Sequence, residues 1–196
     1  MIQPQALQIL RELVLPVQPL TEEEWQDFEK VWTPFEASRK QLITVAGEKE
    51  KYLYLVLSGI QRVFYADDEN REATIVFTYA PSFGGVLDAF LLQQPSRYFY
   101  ETLTPSTFLR APYTEVERLM HKYHAIATFM LKGVSLATSG VLERLVEVQC
   151  YTAEQRFKKL LQRSPHILQL IPHKYLANYL GMDATNFSKL LNKVRI

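Results

Sequence analysis

The stretch IPHKYLANYLGMDATNFSKLLNKVRI, residues 171–196, predicts two short helices joined by a tight turn. Pro172 suits the first position of a helix, where no backbone N–H is needed. Gly181 can adopt the left-handed conformation that ends many helices, and Asp183 is a favourable N-cap for a second helix. The pattern is therefore that of two helices that meet at a sharp angle.

Each of the two helices has an apolar face. In the first helix it carries Leu176, Ala177 and Leu180, and the small Ala177 permits a close crossing. In the second helix the apolar face is formed by Phe187, Leu190, Leu191 and Val194. The opposite face of the second helix is small, polar and basic. It consists of Ala184, Thr185, Ser188, Lys189, Asn192 and Lys193.

This pair of helices predicts a helix-turn-helix motif, in which the second helix lies in the major groove of DNA. An ordinary helical hairpin at the end of the chain is the alternative. Charge favours the first interpretation, since residues 151–196 contain eight Lys or Arg and only two acids. This segment carries +6 and residues 1–150 carry −5, because the whole chain carries +1. A basic segment beside an acidic remainder is expected where one end of a protein meets phosphates.

Length and composition indicate an ordinary globular protein of one or two domains. The chain has 196 residues, of which 47% are hydrophobic and 22% are charged. No uninterrupted apolar run reaches the roughly 18 residues of a membrane span, and the N-terminus lacks a signal-peptide pattern. The single Cys150 excludes an internal disulfide and fits a reducing compartment. We therefore expect a cytoplasmic protein that does not contact a membrane.

Ahead of the C-terminal helices, the sequence changes its period twice. Residues 4–30 have helical spacing, with a capping box at Thr21 and Glu24. From Phe35 to about Pro112 the period is two, and short apolar runs alternate with turns, one of them predicted at residues 81–85. Many short strands at such spacing are typical of a small barrel or sandwich.

A long helix is predicted from about Tyr123 to Val148. It is apolar on more than one face, which is more apolar surface than a single contact requires. The pattern favours a helix that packs on its own domain and also on a second copy. Packing entirely within one chain is the alternative. A further helix is predicted over residues 152–162, and Ser164-Pro165 ends it.

The order of elements resembles the Crp/Fnr family of bacterial regulators, which couple a cyclic-nucleotide-binding-like domain to a DNA-binding domain. The resemblance covers nearly the whole chain and is nearest to the variants common in Bacteroidetes. Four segments carry it: AGEKEKYLYLVLSGIQRVFY (46–65), FGG (83–85), TAEQRFKKLL (152–161) and IPHKYLANYLGM (171–182).

The resemblance implies an α+β chain of three parts. Residues 1–122 are expected to form N-terminal helices and a double-stranded β-helix, which is a jelly-roll-like cyclic-nucleotide-binding-like domain. Residues 123–149 are expected to form a dimerisation helix, and residues 150–196 an all-α helix-turn-helix domain. The implied protein is a homodimeric, non-enzymatic transcription regulator. Its implied partners are double-stranded DNA, RNA polymerase and a small-molecule effector of unknown identity.

The resemblance also assigns roles in DNA binding. Base-reading positions fall on Ala184, Thr185 and Lys189, and phosphate-contacting positions fall on Lys174, Asp183 and Asn186. Ser188, Asn192 and Lys193 complete the predicted interface. The best-known members have Arg and Glu in place of Ala184 and Thr185. Because Arg paired with guanine is the commonest strong base contact, this chain should read a different DNA site.

The predicted ligand pocket departs further from the family. Cyclic-AMP-binding members have a Gly-Glu pair where this chain has Gly84-Gly85, and Arg-Ser where it has Ser96-Arg97-Tyr98. A shift of one residue along a strand would turn Arg97 out of the roll, unless a bulge in the strand restores its direction. A buried phosphate without its Arg partner is poorly compensated, so we expect no tight binding of cyclic AMP. Another ligand, or the chain's own aromatic residues, would then fill the pocket. The aromatic candidates are Phe83, Phe90, Tyr98, Phe99 and Tyr100.

Three other interpretations of the sequence receive less support. Glu117, His121 and His124 have a spacing that can gather metal ligands on one helix, but a fourth ligand is not evident, so no metal site is predicted. The acidic residues 67–69 are typical of a solvated turn, and no phosphate-binding loop or G-x-S-x-G motif is present. An interaction module with a degenerate pocket, which binds protein or only non-specific nucleic acid, is the alternative to a sequence-specific regulator.

Overall fold

The strand-forming middle of the chain builds a roll of two antiparallel sheets. A computed structural model describes residues 2–193. The strands are β1 (Thr33–Ala37), β2 (Leu42–Thr44), β3 (Tyr52–Ser58), β4 (Ile60–Ala66), β5 (Glu72–Tyr79), β6 (Ser82–Gly84), β7 (Phe99–Thr102) and β8 (Ser106–Pro112). One sheet has the order β1-β8-β3-β6, and the other has the order β2-β7-β4-β5. The predicted jelly-roll-like domain is confirmed.

Helices precede, interrupt and follow the roll. They are α1 (Pro4–Val14), α2 (Glu22–Lys30), α3 (Leu87–Leu92), α4 (Tyr113–Lys122), α5 (His124–Cys150), α6 (Ala153–Arg163), α7 (Ile167–Leu170), α8 (His173–Tyr179) and α9 (Ala184–Lys193). Helices α6 to α9, residues 153–193, are called the C-terminal unit below. The predicted order of roll, long helix and C-terminal helices is confirmed.

The helical segment predicted over residues 4–30 consists of two helices, because Pro16 and Pro19 lie between α1 and α2 and proline cannot continue a helix. One local prediction was wrong, and one element was missed. The predicted turn at residues 81–85 contains β6, which pairs with β3 through Leu55 and Phe83. Helix α7 was not predicted, because four residues are too few to show a helical period.

Aromatic residues join α5 to the roll. Phe28 of α2 is fully buried, and its ring centroid lies 5.6 Å from that of Trp32 and 6.0 Å from that of Phe129 in α5. Phe129 also meets Phe83 of β6 at 5.7 Å. The first two turns of α5 are therefore part of the core that covers one sheet.

The remainder of α5 leaves the core and exposes apolar side chains. Residues that alternate at spacings of three and four form a seam along it. The seam consists of Leu131, Val134, Thr138, Val141, Leu145 and Val148. Leu131 is 67% exposed and Val141 is 58% exposed. Such a repeat is the pattern of a helix that pairs with another helix.

Helix α5 is also the one helix, within residues 2–193, that is long and apolar enough to cross a membrane by length and composition. Its mean hydropathy over the relevant window is 1.5, and 17% of that window is buried. One such helix is weak evidence for a membrane span. The anchoring of Ile126, Phe129 and Met130 in the core of the roll accounts for part of its apolar character.

The anchoring of α5 is testable by substitution. We predict that Phe129→Ala lowers the free energy of unfolding by about 3–5 kcal/mol, because it leaves a cavity in a buried aromatic cluster. Urea unfolding followed by tryptophan fluorescence reports on this cluster, since Trp25 and Trp32 both belong to it. The matched control is Leu92→Ala, whose side chain is 66% exposed, and it should change the free energy by less than about 0.5 kcal/mol. Equal effects of the two substitutions would contradict the assignment.

Candidate nucleic-acid interface

The turn between α8 and α9 is fixed by backbone hydrogen bonds. Gly181 has a φ of +66°, and its N–H donates to the carbonyl of Asn178 at 3.0 Å. The N–H of Met182 donates to the carbonyl of Ala177, also at 3.0 Å. These two bonds form a Schellman motif, which satisfies carbonyls at the end of α8 and sends the chain away at a sharp angle. The predicted helix end at Gly181 is confirmed.

Asp183 caps the start of α9, as predicted. Its Oδ1 accepts the backbone N–H of Asn186 at 2.8 Å, and its Oδ2 accepts the side-chain amide of Asn186 at 2.6 Å. The backbone N–H of Asn186 stabilises the ionised carboxylate and holds the pKa of Asp183 below its usual value. The role of Asp183 in this structure is therefore to begin the helix.

The inner faces of the two helices pack as the sequence predicts. Leu176, Ala177, Leu180 and Phe187 are buried. The ring of Phe187 meets that of Phe157 in α6 edge-on, with centroids 5.5 Å apart. Leu190 and Leu191 are half-buried, and Val194 and Arg195 lie outside the described residues.

The outer face of α9 is exposed to solvent. It consists of Ala184, Thr185, Ser188, Lys189, Asn192 and Lys193, and Asn186 and Lys174 are exposed beside it. The Ser188 hydroxyl donates to the carbonyl of Ala184 at 3.0 Å, so it is engaged within the helix. The structure therefore brings the predicted DNA-contacting residues to an accessible surface on two neighbouring helices.

An acid that sequence reasoning did not assign to this surface lies at its edge. Glu154 in α6 pairs with Lys193 at 2.7 Å and with Lys158 at 2.8 Å. The hydrogen bonds from Lys158 and Lys193 lower the pKa of Glu154 to about 2. Glu154 thus partly neutralises the end of the basic face. The pair could not be predicted from the sequence, because Glu154 and Lys193 are far apart in the chain.

Aromatic side chains fill the interior of the roll. The ring centroid of Tyr54 lies 5.8 Å from that of Tyr100 and 5.7 Å from that of Phe108. A Cβ added to Gly84 would collide with the Tyr100 hydroxyl, so only glycine fits at position 84 while the ring of Tyr100 occupies this space. Burial raises the pKa of both tyrosines above its usual value.

The aromatic residues predicted to fill the interior divide between three sites. Tyr98 and Tyr100 do pack in the interior cluster. Phe83 and Phe90 belong instead to the core beneath α2 and α5, and Phe99 stacks on Phe64 at 5.0 Å. The prediction was wrong for these three. Phe83 and Phe99 lie next to Gly84 and Tyr100 in their strands and therefore point to the opposite face of the sheet, whereas Phe90 lies in α3 and packs into the core beneath α2 and α5. Tyr54 and Phe108 are interior residues that sequence reasoning missed.

Glu50 is a second residue that sequence reasoning missed. Its carboxylate is buried and accepts the Thr44 hydroxyl and the backbone N–H groups of Lys51 at 3.0 Å and Val86 at 3.4 Å. Desolvation raises the pKa of Glu50. The carboxylate also lies beside Gly85, at 3.6 Å from the position of an added Cβ. Its neighbours Glu48, Lys49 and Lys51 are charged, so the sequence around Glu50 carries no sign that its side chain is buried.

Arg97 is exposed, in agreement with the expected outward direction. The preceding Ser96 is buried, and its hydroxyl donates to the carbonyl of Tyr98 at 2.7 Å and accepts its N–H at 2.9 Å. The guanidinium that lies against the aromatic interior belongs to Arg110 of β8, at 4.4 Å from the ring centroid of Phe35. Arg110 lies in no sequence motif that would predict its position beside the aromatic interior.

The histidines considered as metal ligands do not share one helix. His121 is in α4 and His124 begins α5, and the extended backbone at Tyr123 separates the two helices. Glu117 accepts the hydroxyl of Tyr113 at 2.6 Å. In the described part of the chain no group of three His, Cys, Asp or Glu side chains is placed to hold a metal ion.

Comparison with known proteins places these features in a known architecture. The cyclic nucleotide-binding domain family matches residues 34–123. The solved structure of FixK2 from Bradyrhizobium japonicum covers 83% of this chain and 84% of its own, with a TM-score of 0.76 and 16% identity. A Crp/Fnr-family regulator from Eubacterium rectale covers 89% of this chain and 83% of its own, with a TM-score of 0.70 and 17% identity. This chain has the Crp/Fnr fold.

A third similar structure is the c-di-GMP-responsive regulator CLP from Xanthomonas campestris, with a TM-score of 0.66 and 15% identity. It covers 88% of this chain and 91% of its own. No curated protein sequence matches the chain. The structural similarity to these proteins shows the Crp/Fnr fold, whereas the Bacteroidetes-type assignment stays a prediction.

Substitution by alanine should have opposite effects on stability at Gly181, which has a positive φ, and at Gly133 in α5. We predict that Gly181→Ala destabilises the C-terminal unit by about 1–2 kcal/mol, because an L-residue is strained at positive φ. Amide hydrogen exchange in α8 and α9 should then accelerate about 5- to 30-fold. The control is Gly133→Ala in α5, where an added Cβ meets no atom within 4 Å and should stabilise the helix by about 0.5–1 kcal/mol. Unchanged exchange in Gly181→Ala would contradict the assigned turn.

Proposed function

We propose that the protein is a cytoplasmic, homodimeric, DNA-binding transcription regulator of the Crp/Fnr type rather than an enzyme. In this proposal residues 1–122 form the sensor domain, residues 123–149 the dimerisation helix and residues 150–196 the DNA-binding domain. The exposed outer face of α9 carries the proposal. This face is small, polar and basic, on a helix whose start is capped and whose inner side is buried.

The residues of this face support the proposed binding to DNA. Ala184 and Thr185 lie in the first turn of α9, where a recognition helix approaches base edges, and Lys189 lies one turn further along. The side chains of Ala184 and Thr185 are short, so the backbone at the start of α9 can approach the groove closely. Lys174 near the start of α8 supplies a positive charge for a phosphate.

The seam of α5 supports dimerisation. Two copies paired along Leu131, Val141, Leu145 and Val148 would cover apolar side chains that the single chain exposes. The resulting pair would present two α9 helices, and a two-fold dimer contacts half-sites one DNA turn, about 34 Å, apart. The charged residues Glu143 and Arg144 lie within the same half of α5, which disfavours insertion into a bilayer.

The sensor domain is proposed not to bind cyclic AMP tightly. Tyr54, Tyr100 and Phe108 occupy the interior of the roll, and the Glu50 carboxylate is already engaged by backbone N–H groups. Arg97 points to solvent rather than toward a buried phosphate. The effector, if the roll has one, is therefore expected to differ from cyclic AMP in its chemistry.

One observation favours a second candidate function. Lys193 is paired with Glu154, and Ala184 and Thr185 provide no bidentate base contact. A module that binds protein, or nucleic acid without sequence preference, would have such a surface. Selection of bound duplexes from a random pool separates the candidates, because a palindromic consensus supports the regulator. Absence of enrichment together with a steep salt dependence supports the module.

Two lysines give a matched pair of substitutions for this test. We predict that Lys189→Ala relaxes the preference at one base step of the consensus by about 1–3 kcal/mol, because a base contact is lost. Lys174→Ala should weaken binding to all duplexes alike and reduce the salt slope by about one phosphate contact. Fluorescence anisotropy with consensus and scrambled duplexes measures both. Identical behaviour of the two variants would contradict the assigned roles.

The prediction for the sensor domain concerns affinity. Isothermal titration calorimetry of the full chain with cyclic AMP and with cyclic GMP should show no binding at micromolar concentrations, because the interior is filled and lacks an inward Arg97. Micromolar or tighter binding of either nucleotide would overturn this part of the proposal.

A further inference from the structure

Helix α8 completes an open edge of the roll. Strand β5 is at the edge of its sheet, so one side of its backbone has no neighbouring strand. The side chain of Asn178 supplies a hydrogen-bond acceptor and a hydrogen-bond donor to this free side of β5. Its Oδ1 accepts the N–H of Thr74 at 2.6 Å, and its Nδ2 donates to the carbonyl of Glu72 at 2.6 Å. A side-chain amide thus takes the place of a strand.

A cluster of charges and rings surrounds this contact. The guanidinium of Arg62 in β4 is buried, binds Glu72 at 2.6 Å and Glu101 at 2.8 Å, and lies 4.2 Å from the ring centroid of Tyr175 in α8. The ring of Tyr179 meets that of Phe77 in β5 at 5.3 Å. The contact between α8 and the roll is therefore both polar and apolar.

The long helix holds the same element from another side. Arg144 of α5 donates to the carbonyl of Tyr179, one of the helix-end carbonyls that need a partner outside the helix. Arg144 is held by the buried Glu147 at 3.3 Å, and Glu147 also binds Arg163 of α6 at 3.0 Å. Helix α8 is thus held by the edge of the roll and by α5.

The contacts leave the outer face of α9 open. They are made by Tyr175, Asn178 and Tyr179, whereas Ala184, Thr185 and Lys189 are exposed. The Schellman turn and the buried Phe187 join α9 firmly to α8. The contacts therefore govern the orientation of the recognition helix and leave it accessible.

We propose that Asn178 and Arg144 are positioning residues, which dock the C-terminal unit on the roll and on α5 respectively and thereby set the distance and angle between the two α9 helices of the dimer. This inference rests on the proposed function, since it assumes a dimer that binds two half-sites. Docking then makes the protein selective for the spacing between half-sites. A unit released from the roll would be tethered only through α6 and would adjust to several spacings.

The first experiment needs no DNA. Amide hydrogen exchange of the full chain measures protection of Thr74 and its neighbours in β5. In Asn178→Ala the Thr74 N–H loses its acceptor, so its exchange should accelerate at least about tenfold. A tenfold change corresponds to a decrease of about 1.4 kcal/mol in the free energy of local opening. Gln169→Ala in the exposed part of α7 is the control and should leave exchange unchanged. Unchanged exchange in Asn178→Ala overturns the docking.

The second experiment measures spacing selectivity. Duplexes that carry the selected half-sites are lengthened or shortened by one or two base pairs at the centre, each of which rotates one half-site by about 35°. The wild type should lose at least about tenfold in affinity on the altered duplexes, and Asn178→Ala/Arg144→Ala should lose less than about threefold. The ratio of affinities is the readout, so a general loss of binding does not imitate the effect.

The two experiments separate the failure of this inference from failure of the proposed function. If selection gives no consensus, the proposed regulator is wrong, and exchange at Thr74 still tests the docking. If exchange accelerates and the double variant keeps the spacing profile of the wild type, docking occurs but does not set the spacing, and the inference is overturned. Intact folding of the roll in each variant is checked by tryptophan fluorescence.

Discussion

The structure depends on the division of helix α5 into a buried part and an exposed part. Ile126, Phe129 and Met130 fix its beginning in the core that covers one sheet of the roll. From Leu131 onward the helix exposes a seam with heptad spacing. Contact between water and this apolar seam is unfavourable, so its burial against another apolar surface would stabilise the protein. Since the C-terminal unit is attached at the far end, a second copy that covers the seam in the proposed dimer would also set the arrangement of the two α9 helices.

The same architecture brings the roll and the C-terminal unit into direct contact. Ile60 and Leu103 of the roll share a hydrophobic cluster with Phe157, Leu176 and Phe187. Tyr100 and Glu101 are consecutive in β7, so they point to opposite faces of the strand. Tyr100 fills the interior, while Glu101 binds the Arg62 that lies against Tyr175. The interior of the roll and the surface that contacts α8 are thus two faces of one strand. In the proposed regulator, this strand would connect the sensor domain to the DNA-binding domain.

Local signals allowed the helix-turn-helix to be predicted, because Gly181 and Asp183 act on residues within one turn of themselves. The alternation of strands likewise predicted a roll. Features that depend on distant residues could not be predicted. The partners of Asn178 lie 104 and 106 residues away in sequence. Glu50 stands among charged residues, and only the folded roll shows that it is buried. The assignment of five aromatic residues to one pocket failed for Phe83 and Phe99, because a one-residue difference decides which face of a strand a ring occupies. It failed for Phe90 because this residue lies in α3, whose packing against the other core could not be predicted from the sequence.

Sedimentation equilibrium tests the central claim most directly. A single chain has a mass of 22.8 kDa, and the account predicts twice this mass for the wild type at micromolar concentration. Val141→Glu places a charge in the exposed seam without touching the core that holds Phe129, so this variant should sediment as one chain while its tryptophan fluorescence stays native. A wild type that remains at 22.8 kDa, or a Val141→Glu variant that keeps twice this mass, would contradict the account.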